Sequence, residues 1–85
     1  RAMTAEWAEL GITINAIGPG YIATEMNRAL LDNVAFDSWV KQRTPSRRWG
    51  TPADLVGTVV YLAAPASDYV NGQIIYVDGG MLAIL

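Results

Sequence analysis

Residues 12–26 read ITINAIGPGYIATEM, and the fold turns on how that run is parsed. Residues 12–17 are short, largely apolar and rich in β-branched side chains, which suits a strand buried on both faces as in a parallel sheet. Gly18-Pro19-Gly20 ends it. Thr24 then precedes a helical pattern, EMNRALLDNV, in which Met26, Leu30 and Val34 recur every four residues. Glu25 in the first turn complements the helix dipole. A stiff corner between a buried strand and a helix has two readings. It is a plain connection with Thr24 as N-cap, or it holds something. Proline fixes the backbone and glycine removes the side chain, so a flat group can approach main-chain N–H and C=O groups. Ligands of open parallel sheets bind beyond the carboxyl ends of the strands. The local pattern by itself favours the plain turn.

Working outward, residues 1–10 predict a helix with Met3, Trp7 and Leu10 on one face and Gly11 as its C-terminal cap. Nothing before Arg1 caps that helix, so it is expected to begin upstream. Residues 36–43 predict a further helical piece carrying Trp39 and Val40 and halting before Pro45. Thr51-Pro52-Ala53-Asp54 has the form of a capping box, with proline in the first turn. Leu55, Val56, Val59, Val60 and Ala63 follow as a broad apolar face that stops at Pro65. After the polar turn ASDYVNG, residues 73–77 predict a second strand, closed by Asp78-Gly79-Gly80.

Two strands joined through helices form a parallel crossover, and parallel sheets are covered by helices on both faces. An isolated two-stranded sheet is marginal in water. The chain is therefore expected to be the C-terminal part of a larger α/β sheet protein, with all 85 residues in one domain.

Composition narrows the function classes. The formal net charge is −2 with no basic stripe, which argues against nucleic acid and anionic membrane as partners. There is no cysteine for disulfide or thiolate chemistry, in keeping with a reducing, cytoplasmic setting, and no histidine to serve as general base or metal ligand. The longest apolar run, residues 55–66, is too short to span a bilayer.

The strand end N-A-I-x-P-G, the segment R-W-G-x-P-x-D and the terminal N-G-Q-x-x-x-V-D-G-G occur here in that order. Together they resemble the C-terminal part of the short-chain dehydrogenase/reductase family, over essentially the whole chain. The resemblance implies the end of a Rossmann-like, doubly wound parallel sheet and an NAD(P)-dependent oxidoreductase, with NADP(H) favoured over NAD(H). It implies that Pro19 and Gly20 lie beside the nicotinamide ring. The backbone of Ile22 would bond the carboxamide, and the Thr24 hydroxyl would contact the carboxamide or pyrophosphate. Asn15 would be structural. Residues 25–44 would be a mobile segment covering the substrate, with Met26 and Trp39 as candidate walls or, equally, as helix-face packing. The segments FDSWVKQRTPSRRWG and VDGGMLAIL most resemble members acting on a keto-sugar acid such as 5-keto-gluconate, with 3-oxoacyl-carrier-protein reductases as the alternative. A homotetramer is implied as well, built from the helix after Thr51 and the final strand. Gly57 within that helix and the apolar residues 81–85 agree with a subunit contact.

The family's catalytic Tyr and Lys stand four residues apart. Here the only lysine is Lys41, preceded at that spacing by Asp37, and the glycine-rich dinucleotide loop is absent. The chain on its own is therefore expected to be inactive and to require its N-terminal remainder; a non-catalytic fragment that only folds or associates with that remainder is the other reading. Arg47 and Arg48 could hold a sugar-acid carboxylate, but Arg48 is better explained as a partner for the helix beginning at Thr51. Asp54 is explained by capping and Asp78 by its turn, while Asp32, Asp37 and Asp68 read as solvated surface.

Overall fold

β1 (Ala16–Pro19) and β2 (Ile74–Val77) run side by side and parallel, with Ala16 opposite Ile74 and Pro19 opposite Val77. The computed structural model describes residues 2–84. The expectations for Arg1 and Leu85, at the start of the first helix and the end of the apolar tail, lie outside the described residues. α1 (Ala2–Trp7) comes before β1, and α2 (Arg28–Leu31), α3 (Val34–Arg43) and α4 (Ala53–Ala63) carry the chain to β2. The crossover is helical, as parallel pairing requires.

Several boundaries differ from the sequence pattern, each for a local reason. The first helix tightens into a 3-10 turn at Ala8–Leu10, capped by Gly11 at φ 79° with its N–H on the Ala8 carbonyl. Ile12, Thr13 and Ile14 are β-branched, but they and Asn15 lie outside β1, because side-chain amides replace ladder rungs there. Asn71 accepts from the Ile14 N–H at 2.9 Å, while Asn15 donates to the Val70 carbonyl and accepts from the Gln73 N–H. Asn15 is thus structural, as expected. At the other end, β1 runs through Gly18 and Pro19 rather than breaking before them. Pro19 is tolerated because the last rung uses the Gly20 N–H, which donates to the Val77 carbonyl at 3.0 Å.

The helical pattern of residues 25–34 is interrupted. A 3-10 turn at Glu25–Asn27 leads into the single turn of α2, and Asn33 stops it by capping α3, accepting from the Phe36 N–H at 3.0 Å. One half of the expected capping box is present, the carboxylate reaching back, while the Thr51 hydroxyl makes no capping bond to the helix and donates to the Asp54 carboxylate at 3.2 Å. The Asp54 carboxylate accepts from the Thr51 N–H at 2.8 Å, and the Thr51 carbonyl accepts from the Asp54 N–H.

The core is small. Val40 and Trp49 are the buried apolar residues, joined by Thr44 and Ser67. Around Trp49, Tyr21 makes edge-to-face contacts with Phe36, Trp39 and Trp49 at 5.6, 5.9 and 5.8 Å. The sheet, by contrast, is not covered on both faces by the described residues. Ile74 and Tyr76 of β2 remain exposed, as do Val56, Val59 and Val60 of α4.

Candidate functional site

Beyond the carboxyl ends of β1 and β2 the chain leaves a cavity of about 140 Å³. Gly20, Tyr21 and Ile22 line it after β1, Val77 and Asp78 after β2, and Arg48 and Asp54 lie across from them. Its geometry comes from an extended stretch, residues 21–24, paired with Gly50. The Gly50 N–H donates to the Tyr21 carbonyl at 2.9 Å, and the Ala23 N–H donates to the Gly50 carbonyl at 2.8 Å. Along an extended chain, main-chain groups of successive residues face opposite sides. Tyr21 and Ala23 use the side toward Gly50, so the N–H and C=O of Ile22 both face away. The Ile22 N–H has no partner among the described residues, and the Ile22 carbonyl accepts from the Asn27 Nδ2 at 2.7 Å. One donor and one acceptor on the same edge of one residue are complementary to a primary amide, which offers C=O and NH2 in the same arrangement.

Thr24 is extended, at φ −134° and ψ 168°, and stands at the head of the 3-10 turn without a side-chain capping bond. Thr24 occupies the N-cap position that the plain-turn reading gave it, and its carbonyl accepts from the Asn27 N–H at 3.0 Å, but its hydroxyl is uncommitted to the helix. It opens onto a groove shared with Arg28 and Asp32 rather than onto the Gly20–Ile22 cavity. Pro19 lines a third concavity with Tyr76, Met81 and Leu82. The four residues named for cofactor binding are therefore contiguous along one edge but do not share one enclosed pocket.

Gly20 owes its identity to the fold. A Cβ there would stand 2.8 Å from the Asp78 Cα and 2.9 Å from its Cβ, so the missing side chain admits the neighbouring turn. Asp78 in turn accepts from the Gly80 N–H at 2.9 Å and the Leu82 N–H at 3.2 Å, as its turn role predicts. Met26 is 97 % exposed and touches none of these concavities. Trp39 belongs to the aromatic cluster, with the Arg43 guanidinium 5.7 Å from its ring centre.

Arg48 makes a forked pair with Asp54, Nη1 to Oδ2 at 2.8 Å and Nη2 to Oδ1 at 3.2 Å. The guanidinium, followed by the Thr51 N–H, holds the Asp54 carboxyl well below the ordinary carboxylate range. Arg47, at φ 60°, donates from Nη1 to the carbonyls of Gln42 at 2.9 Å and Lys41 at 3.3 Å, closing the end of α3. Both arginines are engaged within the chain. Asp37, expected to be solvated surface, instead pairs with Lys41 at 2.9 Å and accepts the Trp49 indole N–H at 2.8 Å. Those two bonds, Lys41 first, lower its pKa. The i, i+4 spacing of Asp37 and Lys41 was a readable signal for the ion pair, whereas the Trp49 bond, made from another segment, leaves no spacing to read. The sequence pattern placed Trp39 on a helical piece and Trp49 in the R-W-G-x-P-x-D segment, but nothing in it brought these two and Phe36 together around Tyr21. Among the described residues, no group of three or more acidic, His or Cys side chains could hold a metal ion.

Two parallel strands joined through helices, with an open main-chain edge at their carboxyl ends, make this a Rossmann-like α/β structure. The chain belongs to the short-chain dehydrogenase/reductase family, whose profile described as enoyl-(acyl carrier protein) reductase matches residues 1–82. A provisionally named gluconate dehydrogenase from Agrobacterium tumefaciens superimposes with a TM-score of 0.97 at 70 % identity, over all of this chain and 34 % of that one. The gluconate 5-dehydrogenase from Burkholderia cenocepacia, solved with NADP and tartrate, gives 0.94 at 49 % identity over 99 % of this chain and 33 % of its own. The 5-keto-D-gluconate 5-reductase of Escherichia coli K12 is 50 % identical over 96 % of this chain and 32 % of its length. The chain thus spans about a third of the relatives it matches.

Proposed function

We propose that this chain forms the nicotinamide-side wall and substrate cover of an NADP(H)-dependent oxidoreductase that interconverts 5-keto-gluconate and gluconate. The observation that carries the reading is the Ile22 edge, where one N–H and one C=O face away from the sheet beside a glycine-proline strand end. A nicotinamide carboxamide fits that edge, and the Thr24 hydroxyl, free of the helix, lies one step further along for a second polar contact. The cofactor, when bound, supplies or accepts the hydride. The chain's own part is positioning. Pro19 and Gly20 keep the backbone flat where the ring would lie, Ile22 fixes its rotation, and residues 25–44 shield the substrate from water.

Proton transfer belongs to residues outside this chain. No tyrosine here is followed four positions later by lysine, and Lys41 is committed to Asp37. We place the family's Tyr-Lys pair in the remainder of the polypeptide and the exposed faces of α4 and β2 in a homotetramer. The sugar-acid substrate is supported by the names of the relatives above. An acyl-carrier thioester is the second reading, favoured by the description of the family profile.

Turnover of the full-length protein with NADPH decides between them. Reduction of 5-keto-gluconate at a rate well above that of a 3-oxoacyl thioester is expected, and the reverse order would overturn the sugar-acid assignment. Thr24→Val is expected to weaken NADPH binding about three- to tenfold, the worth of one hydrogen bond, with the melting temperature unchanged. Unaltered affinity in that variant would remove Thr24 from the site.

A further inference from the structure

The amide-shaped edge at Ile22 already has a tenant. Asn27 is itself a primary amide, and its Nδ2 donates to the Ile22 carbonyl at 2.7 Å, the shortest side-chain bond in this part of the molecule. It does so across the 3-10 turn of Glu25–Asn27, folding that turn back on the strand end.

The segment to which Asn27 belongs is otherwise loosely held, while the segment after it is tied down. α3 is fixed by the Asn33 cap, by Asp37 on the Trp49 indole, by buried Val40 and by Arg47 at its last carbonyls. Ser46 extends that anchorage by donating from both its backbone N–H and its hydroxyl to the Gly79 carbonyl at 3.1 Å. Residues 25–31 have much less. The Glu25–Arg28 ion pair joins side chains 88 % and 60 % exposed, and Met26 projects into solvent. An ion pair that exposed contributes little.

We propose that Asn27 is a stand-in for the cofactor's carboxamide. Its side chain holds the Ile22 carbonyl until the ligand's amide takes that acceptor, and the exchange releases residues 25–31 from the strand end while α3 stays in place. The inference rests on the carboxamide reading of the Ile22 edge. It makes the covering segment two parts with different duties, a static wall from Val34 onward and a short arm whose tether is broken by cofactor. The coupling is reciprocal, so whatever removes the tether tightens the cofactor.

The test compares NADPH with its acetylpyridine analogue, in which a methyl ketone keeps the acceptor oxygen but lacks the NH2 donor. Dissociation constants are measured on the full-length protein, with hydrogen exchange followed over residues 25–31. Asn27→Ala is expected to bind NADPH about three- to tenfold tighter, one competing hydrogen bond having been removed, and to bind the analogue as the wild type does. NADPH, but not the analogue, should raise exchange in residues 25–31 of the wild type. Asn27→Leu keeps the size without the donor and without a charge and should tighten NADPH in the same sense, which guards against an alanine that merely loosens the turn. Wild type that prefers NADPH to the analogue, with neither variant tightening it, would overturn the role of Asn27 while leaving the carboxamide edge standing. Wild type that binds both cofactors alike would remove the carboxamide from Ile22 and take the proposal with it.

Discussion

Gly20 shows why a residue's role cannot be settled from its type. A glycine after a proline at a strand end reads as clearance for a ligand, yet the space beside it belongs to the Asp78 backbone. Gly20→Ala is therefore expected to destabilise by about 1–3 kcal/mol through overpacking, because backbone at 2.8 Å cannot swing aside as a flexible side chain could. A melting temperature equal to that of the parent would show that the two turns separate easily. Asp54 is the opposite case, since its capping role was legible from Thr51-Pro52-Ala53-Asp54 and the structure adds only the Arg48 fork. Its carboxyl sits below the ordinary value of 3.8, so its stabilisation is complete above that value and is lost as pH falls through the folded-state pKa. Asp54→Asn should melt earlier at neutral pH, and its melting temperature should fall less steeply on acidification below about pH 4 than that of the parent. Parallel curves for the two proteins would mean that the ion pair does not contribute.

Among the elements, periodicity located all the helices but not their joints. Two helical pieces were expected, over residues 25–34 and 36–43, but the every-fourth-residue recurrence of Met26, Leu30 and Val34 runs straight across Asn33, and the capping geometry moves the joint there. The strand start was misplaced for a related reason. Ile12, Thr13 and Ile14 have strand propensity, but the Asn15 and Asn71 amides make the bonds a ladder would have made, and amide bonding to a distant loop leaves no periodic trace. α3 is the element on which the wall depends, and Val40, fully buried, is its main apolar anchor. Val40→Ala is expected to remove about 2 kcal/mol by lost burial and an unfilled cavity, and to raise exchange throughout Val34–Arg43. Increased exchange confined to residues 25–31 instead would mean that α3 is held by its polar ties alone.

For the molecule as a whole, apolar surface is left over. A two-stranded parallel sheet with Ile74 and Tyr76 exposed, beside a helix exposing Val56, Val59 and Val60, leaves faces that nothing in residues 2–84 covers. The pattern of the sequence carried this much, since it gave a parallel crossover with too few strands to stand alone. It could not indicate which surface meets which partner, because apolar spacing marks a face to be covered without marking what covers it. Gly57 offers a way to ask. Apart from the helix's own backbone, nothing among the described residues lies within 4 Å of a Cβ placed there, so no contact among them accounts for a glycine in the middle of α4. For α4 alone, Gly57→Ala would stabilise the helix by about 1 kcal/mol. A second copy's backbone packed against Gly57 in the proposed tetramer reverses the sign, because the added methyl would hold the two helices apart. The expected result is a full-length variant that sediments partly as smaller species and melts below the parent. A variant that stays tetrameric and melts higher would show that Gly57 lies away from the subunit contact and that α4 meets its partners through another face.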